Sequence, residues 1–69
     1  MIFADAIVKL RSELRLSQSQ LADELKINYA TVNRWENGKT KPNRMTLFVI
    51  RQYCADHGIE FAYEEENKA

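Results

Sequence analysis

The sequence predicts an all-α fold. A compact bundle of four to five helices is expected over residues 1–58, followed by a short strand-like segment and an acidic tail over 59–69. Three observations carry this. Apolar residues recur at helical spacing through most of the chain. Chain-breaking residues are sparse, with two glycines and one proline. Three of the periodic stretches are preceded by a Ser or Asn suited to cap a helix.

In the first stretch Phe3, Ile7, Leu10 and Leu14 form one apolar stripe, with Lys9, Arg11 and Glu13 off it, predicting a helix over about 2–15. Ser17-Gln18-Ser19-Gln20 opens a second helix with a capping-box pattern, in which the Ser17 hydroxyl takes an orphan amide proton and Gln20 reaches back to the Ser17 amide. Leu16 and Leu21 have the spacing of a hydrophobic staple. Leu21, Ala22 and Leu25 give this helix, about 18–25, its buried face. Lys26-Ile27-Asn28 breaks the chain, and Asn28 caps a third helix over about 29–37, with Val32 and Trp35 inward. Asn37-Gly38 stops it, because glycine accepts the left-handed geometry of a helix end. A basic loop, Lys39-Thr40-Lys41-Pro42, leads to Asn43, the cap of a fourth helix lined by Leu47, Ile50 and Cys54 and closed by His57-Gly58. Beyond it the period changes. Ile59, Phe61 and Tyr63 alternate with Glu60, Ala62 and Glu64, the signature of a strand that either lies flat on the core or pairs with the same strand of a second copy.

Composition bounds the function. With 69 residues, 45% of them hydrophobic and 29% charged, the chain is one small globular domain with few walls to spare for a large interior site. The apolar run Met45–Ile50 falls far short of the roughly 20 residues of a membrane span. Met1-Ile2-Phe3-Ala4-Asp5 lacks the basic and apolar regions of a secretory signal. A single cysteine fits a reducing cytoplasm. The net charge of zero hides a segregation: residues 26–53 carry six cations against Glu36 alone, whereas residues 54–69 carry five acids against Lys68. A basic middle offset elsewhere is the pattern of a polyanion-binding surface, and plain solvated faces fit it as well.

Two short helices joined by a three-residue turn, the second with an exposed polar face, define a helix-turn-helix. Small Ala22 stands where the helices must touch, and Leu21, Leu25, Ile27, Val32 and Trp35 occupy the core positions. With Val32 and Trp35 inward, Ala30, Asn33, Arg34 and Asn37 point outward, flanked by Tyr29. The stretch Leu16-Ser17-Gln18-Ser19-Gln20-Leu21-Ala22, followed by Thr31-Val32-Asn33-Arg34-Trp35-Glu36-Asn37-Gly38-Lys39-Thr40-Lys41-Pro42, resembles the XRE family of lambda-repressor and Cro-like DNA-binding domains. The resemblance covers about residues 3–57. One departure is Lys26, where the family usually has glycine; a positive φ there costs a non-glycine residue about 1 kcal/mol.

The resemblance implies that the third helix enters the major groove of double-stranded DNA, with base contacts from Tyr29, Ala30, Asn33 and Arg34. The chemistry suits: Arg34 can fork onto guanine O6 and N7, Asn33 can pair with adenine N6 and N7, and the Ala30 methyl can pack on a thymine methyl. Phosphate contacts are expected from Gln18 at the start of the second helix, Asn28 and Thr31 at the start of the third, and Asn37, Lys39, Lys41 and Arg44 beyond it. Taken alone, Asn33 and Arg34 would be ordinary solvated surface residues, and Lys39 and Lys41 a solubilising loop.

No other chemistry stands out. Cys54 and His57 are at most half a metal site, and Cys54 reads as core filler. No nucleophile sits at a triad spacing to Asp56 and His57, and Gly38 and Gly58 cannot build a phosphate loop. No cofactor, metal or catalytic residue is expected. The function expected is a cytoplasmic transcriptional regulator of prokaryotic or phage type, acting as a repressor by occluding an operator. It would bind as a homodimer to an inverted repeat with half-sites roughly 34–36 Å apart. Ile59–Tyr63 is the candidate dimer element, by strand pairing, and the exposed face of the fourth helix (Phe48, Tyr53) is the alternative. Two other classes stay open: a protein-interaction module such as an antitoxin, and the N-terminal DNA-targeting module of a larger restriction or methylation enzyme.

Overall fold

The computed structural model describes residues 1–64; Glu65, Glu66 and the remainder of the expected acidic tail lie outside the described residues. Four helices follow one another: α1 (Phe3–Leu14), α2 (Gln18–Leu25), α3 (Tyr29–Glu36) and α4 (Arg44–Asp56). The caps read from the sequence are in place. Ser17 and Gln20 close a reciprocal capping box on α2. Asn28 accepts from the Ala30 amide at 2.8 Å, and Asn43 accepts from the Thr46 amide at 2.7 Å.

All four helices end in the same way, with one residue in the left-handed region: Arg15 (φ 58°), Lys26 (φ 61°), Gly38 (φ 73°) and Gly58 (φ 68°). The amide of the next residue then reaches back five positions. Leu16 donates to the Arg11 carbonyl and Ile27 to the Ala22 carbonyl, both at 2.9 Å. Lys39 donates likewise to Arg34 at 2.9 Å, and Ile59 to Cys54 at 2.8 Å. This satisfies carbonyls that would otherwise be orphaned. Two of the four ends use a cation instead of glycine, at about 1 kcal/mol each. Leu16 and Ile27 offset part of that cost by packing on the core immediately after the turn.

The core takes residues from every helix: Phe3, Ile7 and Leu10 of α1, Leu21, Ala22 and Leu25 of α2, Val32 and Trp35 of α3, and Leu47, Ile50 and Cys54 of α4. Ala6 is buried as well, outside the expected stripe. Phe3 meets the Trp35 ring edge to face at 5.3 Å, which ties the start of α1 to α3. α3 packs mainly against α2 and α1, while α4 touches α2.

Neither a fifth helix nor the expected strand is present among the described residues. Residues 59–64 run as irregular chain, because no second strand lies alongside to take up their backbone groups. Their apolar side chains turn inward instead, and Ile59, Phe61 and Tyr63 pack against the core. Phe61 and Tyr63 stand edge-on to Phe3 at 6.1 and 5.2 Å. Arg51 lies over both rings, at 5.7 and 5.9 Å, and donates to the Tyr63 carbonyl. Alternation of apolar residues here marks a segment laid flat on a core.

Candidate nucleic-acid interface

α2, the three-residue turn and α3 form the helix-turn-helix. Val32 and Trp35, at 0% and 2% exposure, anchor α3 and fix which side of it faces solvent. On that side Tyr29 and Arg34 are exposed, Asn33 and Thr31 are half-buried, and Asn37 is exposed at the end. Ala30 is half-buried, so its methyl is presented only in part.

The polar residues of this face belong to one connected network. Arg11 of α1 grips Glu36 with both ends of its guanidinium, Nε to Oε2 at 2.6 Å and Nη2 to Oε1 at 2.9 Å. Its Nη1 also donates to the Leu16 carbonyl at 3.1 Å. Gln18 donates to Glu36 Oε1 at 2.8 Å and accepts from Asn33 Nδ2 at 3.2 Å. Asn37 in turn donates to Asn33 Oδ1 at 3.1 Å. The chain Arg11–Glu36–Gln18–Asn33–Asn37 thus spans three helices. It leaves the Asn33 carboxamide held from both of its ends, in a fixed orientation and with capacity for one further bond at each. The Glu36 side chain is only 7% exposed, so the network begins inside the protein and ends at its surface. Burial pushes the Glu36 carboxyl up, but the hydrogen bonds from Arg11 and Gln18 and the Arg11 charge outweigh it and hold the group below its ordinary value. The Glu36 hydrogen bond, with its charge, raises Arg11 despite desolvation.

The expected site residues fall into three sets. Gln18, Asn33 and Asn37 are joined by hydrogen bonds. Asn28 and Thr31 lie at the start of α3, with the Asn28 oxygen engaged in capping. Lys39, Lys41 and Arg44 are all exposed in and after the loop that leaves α3. Gln18, expected to contact a phosphate from the start of α2, also links Glu36 to Asn33 through its side chain. Arg11 and Glu36 join this face without a local sequence pattern that points to them. The available signal was Glu36 itself, the single acid in a stretch of six cations. Elsewhere, Cys54 is buried in the core, where burial raises its thiol, and the His57 ring rests on Tyr53 at 4.1 Å.

A capped helix, a tight turn and a second helix with a rigid polar outer face define a helix-turn-helix domain. A family model described as Helix-turn-helix matches residues 7–54. The chain belongs to the XRE family of helix-turn-helix proteins. It is 34% identical over 53 residues to the HTH-type transcriptional activator BcrR of Enterococcus faecalis, a match covering 77% of this chain and 26% of that protein. It is 33% identical over 58 residues to the HTH-type transcriptional regulator DicA of Escherichia coli K12, covering 81% of this chain and 43% of that one. The chain therefore spans less than half the length of either relative. No solved structure gives a significant match. Among the described residues no helix is long and apolar enough to cross a membrane.

Proposed function

We propose that this chain is the sequence-specific, double-stranded-DNA-binding part of a cytoplasmic transcriptional regulator, and that it carries no catalysis of its own. One observation carries the reading. The outer face of α3 combines an exposed guanidinium, Arg34, with a carboxamide, Asn33, that is oriented by hydrogen bonds running back to a nearly buried ion pair. Oriented bidentate groups on the outer face of a helix are what reading base edges requires. Arg34 takes a guanine and Asn33 an adenine, while Tyr29 and Ala30 contact a sugar and a thymine methyl. Gln18, Asn28, Thr31, Asn37, Lys39, Lys41 and Arg44 hold the phosphates and set register without reading sequence. Two copies on an inverted repeat would occlude the promoter and repress. Activation is the second reading, favoured by the name of the E. faecalis relative.

Selection of duplexes from a random library at near-physiological salt, repeated with Arg34→Ala, tests this. The expected result is an inverted repeat whose preference relaxes at one base pair per half-site in the variant, by about 1–3 kcal/mol. Enrichment of a single half-site would remove the dimer from the reading. No enrichment would overturn the DNA reading and turn attention to a protein partner.

A further inference from the structure

Asn37 carries a chemistry that DNA recognition does not use. The chain has five asparagines, and Asn37 is the one followed by glycine; Tyr29, Arg34, Arg44 and Lys68 follow the others. A side chain on the following residue crowds its backbone nitrogen, and Gly38 has none. The space beside it is open, since a Cβ built on Gly38 would meet no atom within 4 Å. Asn37 is itself exposed, at the point where α3 ends.

We propose that Asn37 is a self-modification site, whose carboxamide converts to a carboxylate and so closes the α3 face to DNA. The reaction needs only water. The Gly38 backbone nitrogen attacks Asn37 Cγ; the N–Cγ bond forms, the Cγ–Nδ2 bond breaks, and ammonia leaves with the Gly38 amide proton. Water then opens the cyclic imide at either carbonyl. The product is aspartate, or isoaspartate with the main chain rerouted through Cβ and Cγ. The helix end sets the pace. Asn37 has φ −87° and ψ 2°, which turns the Gly38 nitrogen away from Cγ, and that nitrogen donates to the Trp35 carbonyl at 3.1 Å. Rotation about ψ releases this bond and the one from Lys39 to the Arg34 carbonyl. Both lie at an exposed helix end, where local opening costs least.

The product suits neither role of the side chain. Asn37 Nδ2 donates to Asn33 Oδ1 at 3.1 Å. A carboxylate has no hydrogen to donate, so the Asn33 carboxamide loses one of the two bonds that orient it. The new anion also stands where a phosphate is to be held, and at a helix C-terminus, where negative charge is disfavoured. Isoaspartate further lengthens the main chain within the turn that closes α3.

The inference rests on the DNA reading above, but the chemistry is measured without DNA. The full chain is incubated at neutral pH over days, in buffer and in urea. Trypsin releases Trp35–Lys39 as one peptide, in which mass spectrometry reads the exchange of NH2 for OH. An isoaspartyl methyltransferase assay counts isoaspartate. Binding to the selected duplex and circular dichroism are then compared for fresh chain, aged chain and Asn37→Asp. Asn37 should convert in buffer while Asn28, Asn33 and Asn43 do not, with isoaspartate among the products. Aged chain and Asn37→Asp should bind at least about tenfold more weakly with helix content unchanged, as loss of a hydrogen bond to a charged group implies. Conversion in urea but not in buffer overturns the proposal, because the folded helix end then protects Asn37. Unchanged binding after conversion overturns it too, as does a loss of binding that accompanies loss of helix. A fresh chain that binds no duplex overturns the DNA reading and the closing of that face with it, while conversion in buffer still establishes the modification.

Discussion

The outer faces of α3 and α4 meet solvent in opposite ways. On α3 the polar side chains are linked to one another and to a nearly buried ion pair, so the face is polar and its central carboxamide is held in one orientation. On α4 the outward side chains Met45, Phe48 and Val49 are apolar and exposed. Both helices bury an apolar stripe in the same core, so burial alone does not distinguish them. What separates them is where the polar groups find partners. A face organised by hydrogen bonds is prepared to read another polar surface, and a face that leaves large apolar groups in water is prepared to be covered.

The largest effect comes from removing what both faces share. Trp35→Ala takes out the α3 anchor that also receives the edge of Phe3, and should cost about 3–5 kcal/mol, enough to unfold a domain of this size. Urea titration followed by circular dichroism would read this as loss of the cooperative transition.

The next change sets the faces apart. Arg11→Ala strands the nearly buried Glu36 carboxylate and should cost about 2–3 kcal/mol, whereas polar substitutions on the outer face of α4 should leave stability nearly unchanged. pH gives the same contrast. With the Glu36 carboxyl held below its ordinary value, its stabilisation is fully present above about pH 4.3 and is lost as pH falls through the lower folded value. Thermal melts between neutral pH and pH 3 should show this loss in wild type and a flattened profile in Arg11→Ala. A second loss is expected in alkali. Burial, with Glu24 alongside, pushes the Tyr53 hydroxyl up to about 12, so its contribution holds below the ordinary tyrosine value near 10 and fades as pH climbs toward 12.

The smallest effect is a gain. Lys26 sits at φ 61° in the turn between α2 and α3, so Lys26→Gly should stabilise the fold by about 0.5–1 kcal/mol, read as a higher melting temperature with the helix content unchanged.

What was legible in the sequence follows the range of the interactions. Helix extents, the Ser17, Asn28 and Asn43 caps, and the inward setting of Val32 and Trp35 rest on contacts within a turn or two, and local spacing encodes those. The left-handed Lys26 was legible from the turn pattern, while the equivalent Arg15 was not, since no glycine is expected there to signal it. Period two at Ile59–Tyr63 leaves a paired strand and a segment lying flat on the core undecided, because alternation becomes a strand only where another strand pairs with it, and here Phe3 and Arg51 take the side chains. The Arg11–Glu36 pair joins residues 25 positions apart, beyond any local pattern, and Gln18 lies 18 and 15 positions from the two groups it links.

The networked face of α3, with the basic loop after it, is the surface we propose to meet DNA. Backbone amide shifts of uniformly nitrogen-15-labelled protein, titrated with a duplex carrying the selected site, test it most directly. The perturbed amides should cluster at Gln18, from Asn28 to Arg34, and from Asn37 to Arg44, and a matched duplex with the Arg34 base pair changed should lose the Arg34 perturbation first. Perturbations centred instead on Met45, Phe48, Val49 and Gln52, with α3 unmoved, would contradict it.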